Sequence, residues 1–394
     1  MKTFFTITYL LLSVWSFGQW TPLNVSMNNN FIDVQFVNDS VGFISGSGGA
    51  LLKTTDYGLS WTNVNNTGNS FAFSFHFPGD SVGYALGGNS LFKTVDQGIN
   101  WVALPAISTF DKNNPFFLND STGFFLAAYG IIYKTTDGGM NWSNFSTNCS
   151  ETIVEEDIYF PDQNTGYFGG WYGTCASRTM DEGNTWQVLD GNLLSTIKAI
   201  YFPSVSTGYM AGYVNWQTGG VQKTTDSGNT WIIQNTPIHH YNSIYCTDTS
   251  TCYAVAYDGA IIKTTDGGAN WQQQISGTTH PLRKIYCTDA NTCYAVGDSG
   301  TVLKTMNGGV TGMTNYLSDI FDITIFPNPA SDKLTINLHA SDYEVAVYDS
   351  MGERICKIRN QNKLDVSNFS DGIYFVKVFD GRNYYCKKMI VKHD

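Results

Sequence analysis

A nine-residue phrase recurs seven times along this chain and constrains its fold more than any other feature. The plainest copy, at residues 263–271, reads Lys-Thr-Thr-Asp-Gly-Gly-Ala-Asn-Trp. The seventh copy begins at Lys304, has Asn307 in the fourth place and lacks the tryptophan. Successive copies are 40 to 45 residues apart, a period typical of four-stranded propeller blades. The other six copies carry an aspartate in the fourth place, namely Asp56, Asp96, Asp137, Asp181, Asp226 and Asp266.

Each phrase has the composition of a tight turn between two strands. Lys-Thr-Thr continues a strand, the aspartate can accept hydrogen bonds from backbone amides of the turn, and glycine adopts a left-handed conformation at little cost. The tryptophan is then the first large apolar residue of the next strand. We therefore predict that the six aspartates hold turns together and do not take part in catalysis.

The phrase resembles the Asp-box, or BNR-type, repeat, and the tandem array resembles the photosystem-stability-factor-like propellers. In those families the box is structural and joins the two outer strands of a blade. The resemblance implies an all-β fold, with a seven-bladed β-propeller over residues 19–312 whose blades run from an inner strand A to an outer strand D. The stretch Trp20 to Leu23 looks like the stretch Trp61 to Val64 after the first box. We therefore predict that the N-terminal strand supplies the missing outer strand of the seventh blade and closes the ring.

The two ends of the chain are unlike the repeats. Lys2 precedes an apolar run and the small residues Ser16 to Gly18, so residues 1–18 read as a signal peptide. After a linker at 313–324, residues 325–394 alternate apolar and polar residues with glycine turns, which predicts a small β-sandwich. Its Pro-Asn-Pro, Gly-Ile-Tyr and lysine-rich segments resemble the type A sorting domain of the type IX secretion system.

That resemblance implies a partner and a location. The partner is the type IX secretion machinery, and the protein is secreted or attached to the outer surface of a Gram-negative bacterium. The alternative is an immunoglobulin-like binding module kept on the mature protein. The net charge of -11 argues against nucleic acid as a partner, because its binders need a cationic face. No sequence feature calls for a cofactor.

The cysteines follow the repeats. In five blades a phenylalanine precedes a glycine by six positions across the turn after strand A, whereas in blades six and seven both positions become cysteine. This joint replacement predicts hairpin disulfides, and an exported protein meets an oxidising compartment. A zinc site is the alternative, and it fits poorly. The predicted pairs are Cys246 with Cys252 and Cys287 with Cys293, and we expect Cys149 with Cys175 and Cys356 with Cys386, although spacing alone leaves the last two pairings open.

The Lys, Arg and Glu residues outside the boxes are concentrated near the start of the inner strands. Those starts lie on the face that carries the D to A and B to C loops, so we predict that the charges encircle one mouth of the central channel. The B to C connection of blade five is four residues longer than that of blade one. Exposed aromatic side chains beside charges often hold a sugar ring or a peptide. The candidate binding residues are Lys112, Glu155, Glu156, Asp157, Trp171, Lys198, Trp216, His239, His240, Arg283 and Lys284.

Three classes of function are compatible with these residues. We favour a binding propeller that recognises a glycan or a protein at the mouth, and the alternative is a glycoside hydrolase that uses a pair of carboxylates. A sialidase is excluded because it needs three arginines and the propeller has only Arg178 and Arg283. A metal site at His239, His240 and His280 is the third class. Alternatively, the charges pair across the mouth and the tryptophans pack between blades. The arginine patch of the photosystem assembly propellers is missing, so that resemblance implies nothing photosynthetic.

Overall fold

The structure is a computed structural model that describes residues 19–64, 74–87, 90–105, 112–127, 130–147, 154–171, 176–189, 194–215, 218–309, 324–337, 343–349, 354–379 and 384–393. Contacts divide the chain into two compact units, Met1–Gly312 and Met313–Asp394. Across these described ranges the only helix is one 3-10 turn, Ser47–Gly49, which confirms the prediction of an all-β fold. No described helix is long and apolar enough to cross a bilayer.

The described strands of the first unit fall into seven antiparallel groups of four, each paired in the order A, B, C, D. Five groups are separate four-stranded sheets, and the fourth and fifth are joined into one eight-stranded sheet by a single bridge between Trp171 and Thr196. The first strand of the unit is β1 (Thr21–Pro22). Groups one to three are β2 (Phe31–Phe36), β3 (Gly42–Gly46), β4 (Ala50–Thr54), β5 (Thr62–Asn63); β6 (Ser74–His76), β7 (Gly83–Gly87), β8 (Ser90–Thr94), β9 (Val102–Ala103); and β10 (Lys112–Phe117), β11 (Gly123–Ala127), β12 (Ile131–Thr135), β13 (Ser143–Ser146).

The remaining groups continue the same order. They are β14 (Val154–Tyr159), β15 (Gly166–Trp171), β16 (Ala176–Thr179), β17 (Gln187–Val188); β18 (Thr196–Tyr201), β19 (Gly208–Asn215), β20 (Thr218–Thr224), β21 (Ile232–Ile233); β22 (Tyr241–Cys246), β23 (Cys252–Ala256), β24 (Ile261–Thr264), β25 (Gln272–Gln274); and β26 (Leu282–Cys287), β27 (Cys293–Gly297), β28 (Val302–Thr305) with β1. The longer B to C connection of group five extends strands β19 and β20.

The seven inner strands contact one another in chain order, and the last of them, β26, contacts the first, β2. Strand β1 pairs with β28 through Thr21 and Lys304, which is the pairing that the match of Trp20 to Trp61 predicted. Trp20 is buried, and its Nε1 donates to Gln274 Oε1 at 2.8 Å. The chain therefore closes on itself in the first unit, because its first strand completes its last group.

Each box turn is held by its own side chains. In the second copy, Asp96 Oδ1 accepts from the hydroxyl of Thr94 at 2.8 Å and from the amide of Asn100 at 2.9 Å. Its Oδ2 accepts from the Asn100 side chain at 2.7 Å. The lysine that opens a box reaches the next box, since Lys53 Nζ donates to the carbonyl of Gln97 at 2.6 Å. The boxes thus stiffen each group and link it to its neighbour.

The phenylalanine and glycine pairs have a steric basis. In group two the ring of Phe77 covers Gly83 so closely that a Cβ on the glycine would lie 2.3 Å from the ring. Only glycine leaves room for the ring at this position. In groups six and seven a disulfide replaces this contact, and the predicted bonds are present: Cys246 to Cys252, and Cys287 to Cys293.

The second unit contains two antiparallel sheets that share one apolar core. The core includes Leu334 and Leu364 from the first sheet and Val347, Val376 and Met389 from the second. The first sheet has the order β29-β30-β33 and the second β32-β31-β34-β35. The strands are β29 (Thr324–Phe326), β30 (Lys333–Asn337), β31 (Glu344–Tyr348), β32 (Arg354–Arg359), β33 (Lys363–Asp365), β34 (Gly372–Phe379) and β35 (Tyr384–Val391).

The predicted bond between Cys356 and Cys386 is wrong. Cys356 is a free thiol on β32, and Cys386 lies on β35 at the opposite edge of the same sheet. Two strands lie between them, so their backbones are about 14 Å apart at a strand spacing of about 4.8 Å. A disulfide requires Cα atoms closer than about 7 Å. The other uncertain pair, Cys149 and Cys175, lies outside the described residues.

Candidate binding site

The inner strands share a β-bulge near their start, and this bulge positions the charges that the sequence singled out. The pairing of A with B skips one residue in five strands, and the skipped residue is Ile32, Glu156, Lys198, Asn242 or Arg283. A bulge bends a strand and redirects a side chain. Glu156, Lys198 and Arg283 therefore occupy equivalent backbone positions at the end of the channel where the D to A loops arrive. We call this end the mouth.

The residue that follows the bulge in these inner strands faces the channel, and in three strands it is charged. We call this set of positions the polar level. Asp33 and Asp157 lie here, and both accept hydrogen bonds from the next inner strand, from Phe75 N–H at 3.3 Å and from Ile200 N–H at 3.0 Å respectively. Lys284 occupies the same level in group seven. These three side chains line one cavity of about 140 Å³. Asp157 and Lys284, which the sequence placed at the mouth, thus lie inside the channel wall.

Burial and opposite charge together set the pKa values at this level. Burial raises the pKa of Asp33 and of Asp157, and the positive charge of Lys284 offsets this only in part. Burial acts to lower the pKa of Lys284, yet the charges of Asp157 and Asp33 raise it above its ordinary value. Within the part of the chain that the structure describes, the Lys284 ammonium donates no hydrogen bond. Its interactions with described residues are the charge attractions to Asp157 and Asp33.

Two residues beyond the polar level, a belt of aromatic side chains lines the channel. It occupies the position just before the Phe or Cys of each inner strand, and neighbouring ring centroids are 4.6 to 5.8 Å apart. Burial raises the pKa of Tyr159 to about 12 and raises the pKa of the other belt tyrosines, so their hydroxyls stay neutral. The belt is His76, Phe116, Tyr159, Tyr201, Tyr245 and Tyr286.

The belt is fastened to neighbouring strands. His76 Nδ1 accepts from Phe117 N–H at 3.2 Å, and the Tyr286 hydroxyl donates to the Phe36 carbonyl at 2.9 Å. Burial, helped by the charge of Lys284, lowers the pKa of His76 to about 3, so this imidazole is neutral. In the first inner strand the belt position is occupied by Gln35. Its side-chain amide donates to the Phe77 carbonyl and accepts from the Phe77 N–H, both at 3.0 Å. The belt is therefore rigid and carries no charge.

At the mouth, the structure gathers several predicted residues on groups five to seven. Arg283 makes a bidentate pair with Asp298, with N–O distances of 2.8 and 2.9 Å. The His240 ring contacts Tyr213 with centroids 4.6 Å apart, and the amide of Tyr257 donates to the His240 carbonyl at 2.9 Å. Tyr257 is 55% exposed. We call Tyr213, His240, Tyr257, Arg283 and Asp298 the rim cluster.

The three histidines do not act together. His239 Nδ1 contacts Asp258 Oδ2 at 2.6 Å, whereas His280 Nδ1 lies 3.3 Å from the hydroxyl of Thr301. In the described ranges, no three His, Cys, Asp or Glu side chains cluster as metal ligands would. The histidines belong to separate contacts of the mouth loops.

Several predicted residues are described only in part. The structure describes only the backbone of Lys112, Glu155, Glu156 and Trp171, which lie on β10, β14 and β15. Trp216 lies outside the described residues. Lys198 is described and lies at its bulge, half-buried.

Sequence analysis missed Asp33 and the aromatic belt. The belt was within reach, because tyrosine stands directly before the Phe or Cys of four consecutive inner strands, and the same alignment of repeats had already identified the disulfides. Asp33 was also within reach, since it stands three residues before Phe36, just as Asp157 stands three residues before Phe160.

Comparison with known proteins places this arrangement in a family. Residues 12–156 and 146–316 match the family described as photosynthesis system II assembly factor YCF48. The chain belongs to the YCF48 family. The photosystem II assembly lipoprotein Ycf48 of Synechococcus sp. (strain CC9902) is 24% identical over 284 residues, which cover 68% of this chain and 81% of the relative.

Solved structures support the fold of the YCF48 family for this chain. A structure described as YCF48 bound to D1 peptide matches with a TM-score of 0.60 at 17% identity, over 74% of this chain and 98% of that one. A GH74 enzyme of Niastella koreensis matches with a TM-score of 0.59 at 13% identity, over 95% of this chain and 75% of the enzyme. Both likenesses are to propeller-like folds and leave the ligand open.

The second unit has its own family. Residues 324–392 match the family described as secretion system C-terminal sorting domain. This confirms the resemblance stated from the Pro-Asn-Pro and Gly-Ile-Tyr segments. The protein is therefore exported by the type IX secretion system, and it is secreted or held at the cell surface.

Proposed function

We propose that this protein is an extracellular propeller of seven blades that binds an extended segment of another protein at the channel mouth. The seven strand groups, their closure by β1 and the contact of β26 with β2 support the blade number. The proposed parts are a signal peptide at 1–18, the propeller at 19–312, a linker at 313–324 and a sorting domain with a sandwich fold at 325–394. Only the propeller is assigned the binding role.

One observation carries the binding role. A rim of exposed and half-buried side chains, the rim cluster, lies at the open end of a channel whose polar level contains a lysine ammonium that donates no hydrogen bond to described residues. A concave site with a few convergent polar groups above aromatic walls is typical of ligand sites. The solved YCF48 relative with a bound peptide supports a polypeptide as the ligand.

Hydrolysis of a glycan fits the described residues less well. Asp33 and Asp157 are both engaged by backbone amides of the next strand, and these bonds fix them as part of the wall. A glycosidase needs two carboxyl groups that face a substrate on either side of the scissile bond. For that alternative, Glu155 and Glu156 are the candidate carboxylates. The fold shared with the GH74 enzyme also supports it.

The test presents the purified full chain with a library of random 12-residue peptides and, in parallel, with a panel of polysaccharides. We expect selected peptides to bind with micromolar affinity, and the double variant His240→Ala/Tyr257→Ala to weaken binding by about tenfold or more, because aromatic side chains dominate such sites. Asp80→Asn, an exposed change in a turn after strand A, serves as the control. Failure to select any peptide, or polysaccharide cleavage abolished by Glu156→Gln, would overturn the proposal.

A further inference from the structure

The cavity at the polar level has the size of a single side chain. Its volume is about 140 Å³, and its lining includes Asp33, Asp157, Lys284 and the belt tyrosines. Cavities of about 150 Å³ in proteins hold one benzene molecule. Whatever enters the channel therefore places one compact group, not a chain, at this level.

The described ionisable side chains around the cavity sum to a negative charge when both carboxyls are ionised. Asp33 and Asp157 contribute two carboxylates and Lys284 one ammonium, while the belt histidine His76 is neutral at ordinary pH. Burial raises the pKa of both carboxyls, and the charge of Lys284 offsets this only in part, so a further cation beside them would favour their ionised form. One further positive charge would balance the site.

The walls also suit a cation. The belt presents tyrosine rings to the cavity, and such rings attract ammonium and guanidinium groups. The hydrogen bonds of Asp157 and Asp33 that involve described residues leave carboxylate lone pairs for a further donor. At longer range, residues 19–312 carry 22 Asp and Glu against 11 Lys and Arg, so the whole propeller attracts positively charged segments.

We propose that the polar level of the channel receives the side chain of a lysine or arginine from the bound polypeptide, between Asp33 and Asp157 and above the tyrosine belt. This inference rests on the proposed function and names the chemistry of the anchoring residue. An acidic side chain is disfavoured because it would bring a third carboxylate into the cavity. A carboxamide satisfies hydrogen bonds but leaves the charge unbalanced, and it is the competing outcome of the test.

The experiment uses the full chain and three small probes: the N-acetyl methylamides of arginine, glutamine and glutamate. Binding is followed by NMR of labelled tyrosines, with belt signals assigned through Tyr201→Phe. We expect the arginine probe to bind and to shift the belt signals, and the glutamate probe to leave them unchanged. Asp157→Asn should weaken arginine binding by about tenfold, since it removes a close charge partner.

The decisive variant is Lys284→Met, which keeps the length of the side chain and removes its charge. Because the resident ammonium repels an incoming cation, we expect arginine to bind about threefold or more tightly to this variant. A merely structural role for the three charges predicts weaker binding in both variants. Asp80→Asn lowers the net negative charge as Asp157→Asn does, and it should leave the arginine affinity unchanged.

The outcomes separate this inference from the proposed function. If library peptides bind but the arginine probe does not, or if Asp157→Asn and Lys284→Met change binding in the same direction, the anchoring inference is wrong while peptide binding stands. If the glutamine probe binds as tightly as arginine, the anchor is a carboxamide and the inference is also wrong. If arginine occupies the channel but no peptide is selected, the proposed function fails.

Discussion

Aspartates of the box turns and aspartates of the channel belong to the same repeats but to opposite environments. Hydrogen bonds from Asn100 and Thr94 lower the pKa of Asp96 to about 2, and those from Asn141 and Thr135 lower the pKa of Asp137 to about 2. In the channel, burial raises the pKa of Asp33 and Asp157. The box carboxylates are exposed and satisfied by their own turn, whereas the channel carboxylates lie inside the channel and accept from the next inner strand.

The contrast between the two sets of aspartates indicates which end of the blades is structurally constrained. The box turn repeats in every group, since each turn needs a threonine, a side-chain oxygen acceptor and a glycine; the acceptor is a carboxylate in six copies and the amide oxygen of Asn307 in the seventh. The inner strands share a bulge and a belt but differ at the polar level, where Asp33, Asp157 and Lys284 occur once each. The box end is therefore scaffold, and the mouth end is the part that can acquire a ligand.

The largest effect on stability should come from group seven, whose box lacks its own tryptophan. Trp20 fills that place in group seven and is 3% exposed. We expect Trp20→Ala to lower the free energy of unfolding of the first unit by about 3–5 kcal/mol, because it leaves a cavity and breaks the bond to Gln274. Calorimetry measures this. Val25→Ala, at a half-buried site just beyond β1, is the control, and an equal loss there would contradict the special role of the closing strand.

The disulfides offer a sharper comparison, because groups one to five achieve the same end without them. Removing the bond with Cys246→Ala/Cys252→Ala should cost about 2 kcal/mol, the value for a short closed loop. The double variant Cys246→Phe/Cys252→Gly restores the ring-over-glycine contact of the other groups and should recover most of that loss. Thermal unfolding of both variants under oxidising conditions tests this. No recovery would show that the two solutions are not interchangeable.

A single box aspartate should matter less. Asp56 accepts from Thr54 Oγ1, from Ser60 N–H and from Ser60 Oγ, all within 2.9 Å. Because the group is exposed and water replaces part of what is lost, Asp56→Ala should cost about 1 kcal/mol. Asp56→Asn keeps one acceptor and should cost about half as much. Chemical denaturation of the two variants measures the difference, and equal losses would show that the negative charge, not the bonds, holds the turn.

Features that recur from one repeat to the next could be predicted from the sequence. The box turns, the strand groups, the disulfides of groups six and seven and the closing strand all follow from comparing one repeat with another. Pairing in the second unit could not be predicted in this way, since the sheet order that separates Cys356 from Cys386 leaves no mark in their spacing.

The depth of each charge in the channel was also beyond the sequence. Side chains alternate along a strand, so one extra residue at a bulge moves every following residue to a new level. Arg283 therefore pairs with Asp298 at the mouth while its neighbour Lys284 lies within the wall. Two adjacent cations in the sequence have different roles for this reason.

The smallest predicted effect distinguishes the two kinds of aspartate by pH. The folded pKa of Asp96 is below the ordinary value of 3.8, so its stabilisation is present above pH 3.8 and is lost as the pH falls towards 2. The folded pKa of Asp157 is raised, so the folded state binds that proton more tightly and the protein loses stability as the pH rises from 3.8 through the folded pKa. We therefore expect the following for the free energy of unfolding measured from pH 3 to pH 8. Relative to the natural protein, the stability of Asp157→Asn should increase as the pH rises, and that of Asp96→Asn should decrease. Parallel curves for Asp157→Asn and the natural protein would mean that the pKa of Asp157 is the same in the folded protein as in water. The contrast between box and channel aspartates would then be wrong.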